Sequence, residues 1–271
     1  MRPDAPIGVF DSGVGGLTVV RQLMSALPDE NIVYFGDTAR VPYGTKSRET
    51  VRAYAADDTA FLLSHHPKLI VIACSTVSSV ALDVVEELAT GTPVIGTLKP
   101  SARLAAEHSI SKRIGVIGTS ATVASNAYQL EINAIDESAH VFSKACPLFV
   151  PLAEEGFAYH EATRLIAREY LSELASEQID TLVLGCTHYP ILKKIIGEVM
   201  NEIAGEPVRI IDAAEAVASD VAAVLREKRL LNDSGQTGVR QFFVSDVPQK
   251  FRAVAELFLG MELGGVSQVR L

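Results

Sequence analysis

Along the chain, short runs of apolar, largely β-branched residues alternate with longer stretches in which apolar positions return every three to four residues. The runs are Ile7–Phe10, Ile32–Phe35, Leu69–Ala73, Val94–Ile95, Ile114–Ile117, Val141–Phe142, Leu182–Leu184 and Val208–Ile211. They are continuous rather than interleaved with polar residues, which predicts strands covered on both faces, as in parallel sheets. Ser47–Ser64 and His160–Ser176 carry the helical period, and alternation of the two kinds of segment predicts an α/β architecture. Beyond Asp212 the pattern predicts a helix over Glu215–Lys228, a strand over Arg240–Val244 and a helix over Pro248–Phe258. The turn-rich Asn232–Gly238 lies among them.

The two halves of the chain read alike. Ile7-Gly-Val-Phe-Asp-Ser recurs as Ile114-Gly-Val-Ile-Gly-Thr, and Val33…Pro42 as Val141…Pro151. Leu69-Ile-Val-Ile-Ala-Cys recurs as Thr181-Leu-Val-Leu-Gly-Cys, and Pro93-Val as Pro207-Val. Four matches in one order imply two similar lobes with mainly parallel sheets. The second lobe is expected over residues 99–212. The first is expected to be discontinuous, 1–98 plus 213–271, with the C-terminal segment returning to cover it.

Composition narrows the function. The chain has 271 residues, 48% apolar and 21% charged, so it is long enough for two cored lobes and unlike a disordered chain. With 24 Lys and Arg against 33 Asp and Glu the net charge is −9, and no basic run offers a footprint for nucleic acid or an anionic membrane. The beginning, Met1-Arg-Pro-Asp-Ala-Pro, has no apolar signal core. A cytoplasmic location is the expectation. Three widely spaced cysteines, Cys74, Cys146 and Cys186, make neither a disulfide framework nor a zinc knuckle. No lysine stands in a Schiff-base context and the Cys and His positions do not make a ligand set, so neither pyridoxal phosphate nor metal is expected.

The repeat puts a cysteine at the same point of each half: the carboxyl end of a strand, followed by hydroxyl residues and a helix start. These are Ala73-Cys74-Ser75-Thr76 and Gly185-Cys186-Thr187-His188-Tyr189-Pro190. Ligands of open α/β sheets bind at such ends, and a helix N-terminus lowers a thiol's pKa. If the lobes face each other across a pseudo-two-fold axis, the thiols oppose one another across one cleft. Inversion of a carbon stereocentre needs that arrangement, with a base on one face and an acid on the other. Cys146, followed by Pro147, reads as structural.

Asp11-Ser12-Gly13-Val14-Gly15-Gly16 is a glycine-rich turn that is neither a dinucleotide fingerprint nor a P-loop. Asp11 there is an Asx-type cap or, with Ser12, a partner for a substrate ammonium. Asp37 and Tyr43-Gly44 lie in a polar loop after the second strand, and Glu154 occupies the equivalent place in the second half. His188, two residues after Cys186, suits proton traffic near neutral pH. Three activities remain open on these residues: a two-thiol racemase, a thiol hydrolase using Cys186 with His188, and a binding protein for a small anion. Only the first uses both cysteines.

Together, Phe10-Asp-Ser-Gly-Val-Gly-Gly-Leu, Pro42-Tyr-Gly, Ala73-Cys-Ser-Thr, Val150-Pro-Leu-Ala-Glu-Glu-Gly and Gly185-Cys-Thr-His-Tyr-Pro resemble the motifs of the glutamate racemase family, from Ile7 to about Gly260. The resemblance implies two Rossmann-like lobes with the active site between them. The implied activity is cofactor-independent interconversion of L- and D-glutamate, which supplies D-glutamate for peptidoglycan. Cys74 is then the base toward D-glutamate and Cys186 the base toward L-glutamate, assisted by Asp11, His188, Asp37 and Glu154. Substrate contacts are implied for Ser12, Tyr43, Gly44, Ser75, Thr76, Thr119 and Thr187, and a homodimer for the assembly. The family usually has Asn where this chain has Ser75, which keeps a backbone N–H and loses an amide's reach.

Overall fold

The structure is a computed structural model describing residues 1–247 and 251–271. Ten strands are present among them: β1 (Ile7–Asp11), β2 (Ile32–Gly36), β3 (Leu69–Ile72), β4 (Val94–Gly96), β5 (Arg113–Gly118), β6 (His140–Ala145), β7 (Thr181–Gly185), β8 (Arg209–Asp212), β9 (Arg240–Val244) and β10 (Val266–Gln268). They form a six-stranded sheet in the order β10-β9-β2-β1-β3-β4 and a four-stranded sheet in the order β6-β5-β7-β8. Every pairing is parallel. This is an α/β fold of two Rossmann-like lobes.

The order β2-β1-β3-β4 repeats as β6-β5-β7-β8, so the sequence repeat is a repeat of topology. The registers adjust it by a residue. Ile7 pairs with Ile32 and Leu69, and Ile114 with Val141 and Thr181. Ile32, rather than Val33, is therefore the counterpart of Val141. Strands β9 and β10 have no counterpart and extend the first sheet beyond β2.

Alternate residues of the central strands feed different cores, as the pleat requires. Ile7, Val9, Leu69 and Val71 pack in one cluster, which also holds Ile117, Leu182 and Leu184 of the second sheet. One core thus runs beneath both lobes and includes the helices Leu17–Ala26 and Ala213–Glu227. Phe10, Ile70 and Ile72 face a second cluster, and Ile114, Val116 and Val183 a third. Each fully buried aliphatic side chain contributes roughly 1.5–3 kcal/mol. The strands are uniformly apolar because both their faces are covered.

Two predicted helices differ in detail. The helix start expected after Cys74 opens two short helices in place of one: Ser75–Val80 ends at Ala81, whose φ of −141° is not helical, and Leu82–Leu88 follows. The last helix is observed over Phe251–Leu259, and the predicted start at Pro248 lies outside the described residues. Arg48–Leu63 is helical as its period predicts, with the Ser47 side chain accepting from the Thr50 N–H. Among the described residues no helix is long and apolar enough to cross a membrane.

Candidate active site

The carboxyl ends of β3 and β7 deliver Cys74 and Cys186 into one cavity of about 180 Å³. That is below the ~300–1,000 Å³ typical of sites for drug-sized ligands, and it suits a small metabolite. Cys74 is 4% and Cys186 5% exposed. Cys74 stands at the cap position of the helix Ser75–Val80, and Cys186 precedes the 3₁₀ turn Tyr189–Leu192, with Pro190 at its start. Ser12, Tyr43, Gly44, Ser75, Thr76, Thr119, Glu154, Thr187 and His188 also line the cavity. No Lys or Arg does among the described residues, so an anion there meets hydroxyls, backbone N–H groups and His188.

The two sulfurs have different neighbours. Cys74 Sγ lies 3.6 Å from Ser12 Oγ. Burial, aided by the negative field of Asp11, pushes its thiol up to about 12. The expected lowering by a helix start is thus overturned for Cys74, because desolvation of the buried thiol outweighs a one-turn dipole. Cys186 Sγ lies 3.9 Å from His188 Nδ1, whose Nε2 lies 2.9 Å from Glu154 Oε1. Burial works against a charge on His188, but its partners Cys186 and Glu154 outweigh it and raise the imidazole to about 10.

Asp11 and Asp37 do not line the cavity. Asp11 is fully buried behind it, and its Oδ2 accepts from the Gly13 N–H at 3.0 Å, the Asx-type turn. Its Oδ1 is 3.5 Å from Thr187 Oγ1. Burial raises its pKa, against the opposing pull of His188 and of the Gly16, Gly13 and Ser12 N–H groups. Its carboxylate thus lies behind the lining, near Thr187 and with its negative field on Cys74. Asp37, also fully buried, accepts from Tyr43 Oη, Arg40 Nε and Ser245 Oγ. Its side chain is spent on the loop that carries Tyr43.

Side chains from the segments that follow strands of the two sheets meet around the cavity. Thr76 Oγ1 and Thr119 Oγ1 are 3.1 Å apart, and Thr18 Oγ1 donates to the Thr187 carbonyl at 3.0 Å. A Cβ on Gly15 would lie 2.6 Å from the His188 ring, and one on Gly44 would lie 2.7 Å from Thr119 Cβ. These two glycines let the lobes approach.

Two contributors have little or no sequence signal. Phe258 packs edge-on against His188 with ring centroids 5.2 Å apart. Asp58 joins the Tyr43 loop at 3.1 Å from Tyr43 Oη. A carboxylate beside the largely apolar stripe Val51, Ala55, Leu62 is the available hint for Asp58. Nothing local marks Phe258.

The Asp/Glu/hydantoin racemase family matches residues 7–221. The glutamate racemase of Chlorobaculum tepidum is 58% identical over 98% of this chain and 96% of its own length. The chain belongs to this family, among its glutamate racemases. Solved members share the fold. A glutamate racemase from Francisella tularensis, in complex with D-glutamate, superposes with a TM-score of 0.92 at 43% identity, covering 98% of each chain. One from Thermus thermophilus, in complex with β-chloro-D-alanine, gives 0.89 at 45%, covering 100% of this chain and 99% of its own. The protein is thus an amino-acid racemase, and both of its cavity thiols come from equivalent strand ends. Among the described residues no group of three or more His, Cys, Asp or Glu side chains could hold a metal ion.

Proposed function

We propose that this enzyme interconverts L- and D-glutamate by moving the Cα proton between Cys186 and Cys74. The observation that carries the reading is that cysteines from equivalent strand ends open into one small cavity. With Cys74 held as a thiol and Cys186 beside the charged His188, the site is set for L-glutamate. Cys186 as thiolate takes the Cα proton from one face, and the Cys74 thiol delivers its own to the other. The products are D-glutamate, a Cys186 thiol and a Cys74 thiolate, the state required for the reverse direction. Glu154 holds His188 in orientation, and Asp11 and Ser12 border the Cys74 side. Hydroxyls of Ser75, Thr76, Thr119 and Thr187 and backbone N–H groups near Ser12 and Gly44 hold the ammonium and carboxylates.

The lobes divide at residues 98/99 and 212/213 in this reading. D-glutamate leaves for peptidoglycan synthesis in the cytoplasm, and the working assembly is a homodimer. The peptidoglycan role and the dimer rest on the family resemblance, and the lobe boundaries on the internal repeat.

Incubation of purified enzyme with D-glutamate in deuterated water, without added cofactor, tests the activity. Racemisation with one solvent deuteron at Cα of the L product is expected. Cα retention of protium through complete racemisation rules out the proton transfer proposed. The Cys186–His188–Glu154 line also resembles that of a thiol hydrolase. Such an enzyme survives Cys74→Ser, whereas this racemase loses net turnover.

A further inference from the structure

Tyr43 stands in the cavity wall with its hydroxyl turned into a buried cluster: Tyr43 Oη meets both Asp37 Oδ2 and Asp58 Oδ2, the latter at 3.1 Å. A phenol has one proton to donate. Asp37 takes it at the shorter contact and also accepts from Arg40 Nε and Ser245 Oγ, so Asp37 needs no proton of its own. Asp58 Oδ2 would then face the phenol oxygen with lone pairs on both sides unless Asp58 carries a proton. Asp58 is fully buried, and its Oδ1 accepts from Arg40 Nη2 at 3.1 Å. Arg40 is the sole cation of the cluster among the described residues, and it also pairs with Asp57. Two buried carboxylates around one guanidinium hold one proton between them more readily than two negative charges.

We propose that Asp58 is a neutral carboxylic acid that donates to Tyr43 and positions it, and with it the Gly44–Thr45 wall, for substrate. The chain of donors runs from Asp58 to Tyr43 to Asp37, with Arg40 closing it. The Tyr43 hydroxyl is fully used in this chain, so Tyr43 offers substrate its ring and backbone rather than its phenol. Gly44, next along, abuts Thr119 just past β5 of the second sheet, so the cluster sets the spacing of the two lobes at the cavity mouth. Burial and the charge of Asp37 both push the Asp58 carboxyl well above the usual range, in keeping with this assignment. The role of the wall in holding glutamate rests on the function proposed above; the proton on Asp58 does not.

The test pairs spectroscopy with kinetics. In protein labelled with ¹³Cγ-aspartate, one carboxyl carbon should report a protonated acid at pH 7, and that signal should vanish in Asp58→Asn. The Asn variant keeps both a donor for Tyr43 and an acceptor for Arg40, so its KM should stay within about threefold of the parent. Asp58→Leu removes both, and KM should rise about tenfold or more with kcat changed far less, as expected for a lost buried partner that acts on binding. An Asp58 carboxyl that is ionised at pH 7 overturns the proposal, as does Asp58→Asn behaving like Asp58→Leu. If the leucine variant does not fold, the labelled parent and the asparagine variant still decide. Absence of glutamate turnover in the parent enzyme would count against the proposed function alone, since the NMR arm reads the proton without substrate.

Discussion

His188 Nε2 lies 2.9 Å from Glu154 Oε1, which leaves Nδ1 of the same ring directed at Cys186 Sγ. The carboxylate and the thiol together keep this buried imidazole charged well above its ordinary range, to about 10. Cys74 has no imidazole partner among the described residues; its sulfur lies 3.6 Å from the Ser12 hydroxyl and feels the negative field of Asp11. The two thiols therefore occupy equivalent places in the topology and different electrostatic surroundings.

The first consequence concerns pH. The charged form of His188 persists through neutral pH and is lost as pH rises through about 10. The kcat/KM for L-glutamate should fall there, because that ratio reports groups of the free enzyme. Glu154→Gln removes one of the partners that raise His188, so the alkaline limb should move to lower pH. An unmoved limb in that variant would show that Glu154 does not set the charge.

The same shift is a stability statement. A histidine raised from about 6.5 in the unfolded chain to about 10 in the folded one contributes stability in full below the lower value. That contribution fades as pH rises toward the upper one. The difference in urea unfolding between the parent and His188→Asn should be largest near pH 6 and shrink steadily toward pH 10. A difference that grows with pH would have the wrong sign.

Thiol reactivity should follow the same asymmetry. Cys74 is held up at about 12 and is mostly thiol at pH 7.5, whereas Cys146 is fully buried outside the cavity lining and is also pushed up by burial. Iodoacetamide should therefore label Cys186 first, with activity lost in step and substrate protecting. Peptide mapping after partial inactivation reads this out, and inactivation that tracks Cys146 labelling would refute it.

Gly15 and Gly44 should tolerate no side chain. At Gly15 an added methyl would press on Thr187 and the His188 ring, and at Gly44 on Thr119. Each Gly→Ala change should cost about 1–3 kcal/mol of overpacking and raise KM by forcing the lobes apart. Thermal melts with steady-state kinetics check this, and unchanged values for both would mean the lobes are not in tight contact there.

Much of this architecture was legible in the chain because parallel strands covered on both faces must be continuously apolar. β1, β3, β5 and β7 could be read almost residue for residue. β6 is longer than its apolar pair Val141–Phe142 because it lies at an edge with its side chains half exposed, which dilutes the signal. β10, three residues with Ser267 and Gln268 exposed, carries no such signal. In the site, the cavity residues were readable because they follow strand ends in a repeated order. Asp37 could not be separated from them by sequence: a polar residue after a strand can turn toward ligand or toward its own loop, and here Arg40, Tyr43 and Ser245 draw it inward. The raised Cys74 was hidden for a similar reason, since burial depends on how closely the two lobes meet.

Paired single-thiol variants test the central claim most directly, with Cα exchange measured separately for each enantiomer in deuterated water. If Cys74 and Cys186 act on opposite faces, both Cys74→Ser and Cys186→Ser should abolish net racemisation. Cys186→Ser should retain exchange or elimination only with D-glutamate, and Cys74→Ser only with L-glutamate. Substantial racemisation by either variant, or exchange that ignores the enantiomer supplied, would contradict the two-thiol account.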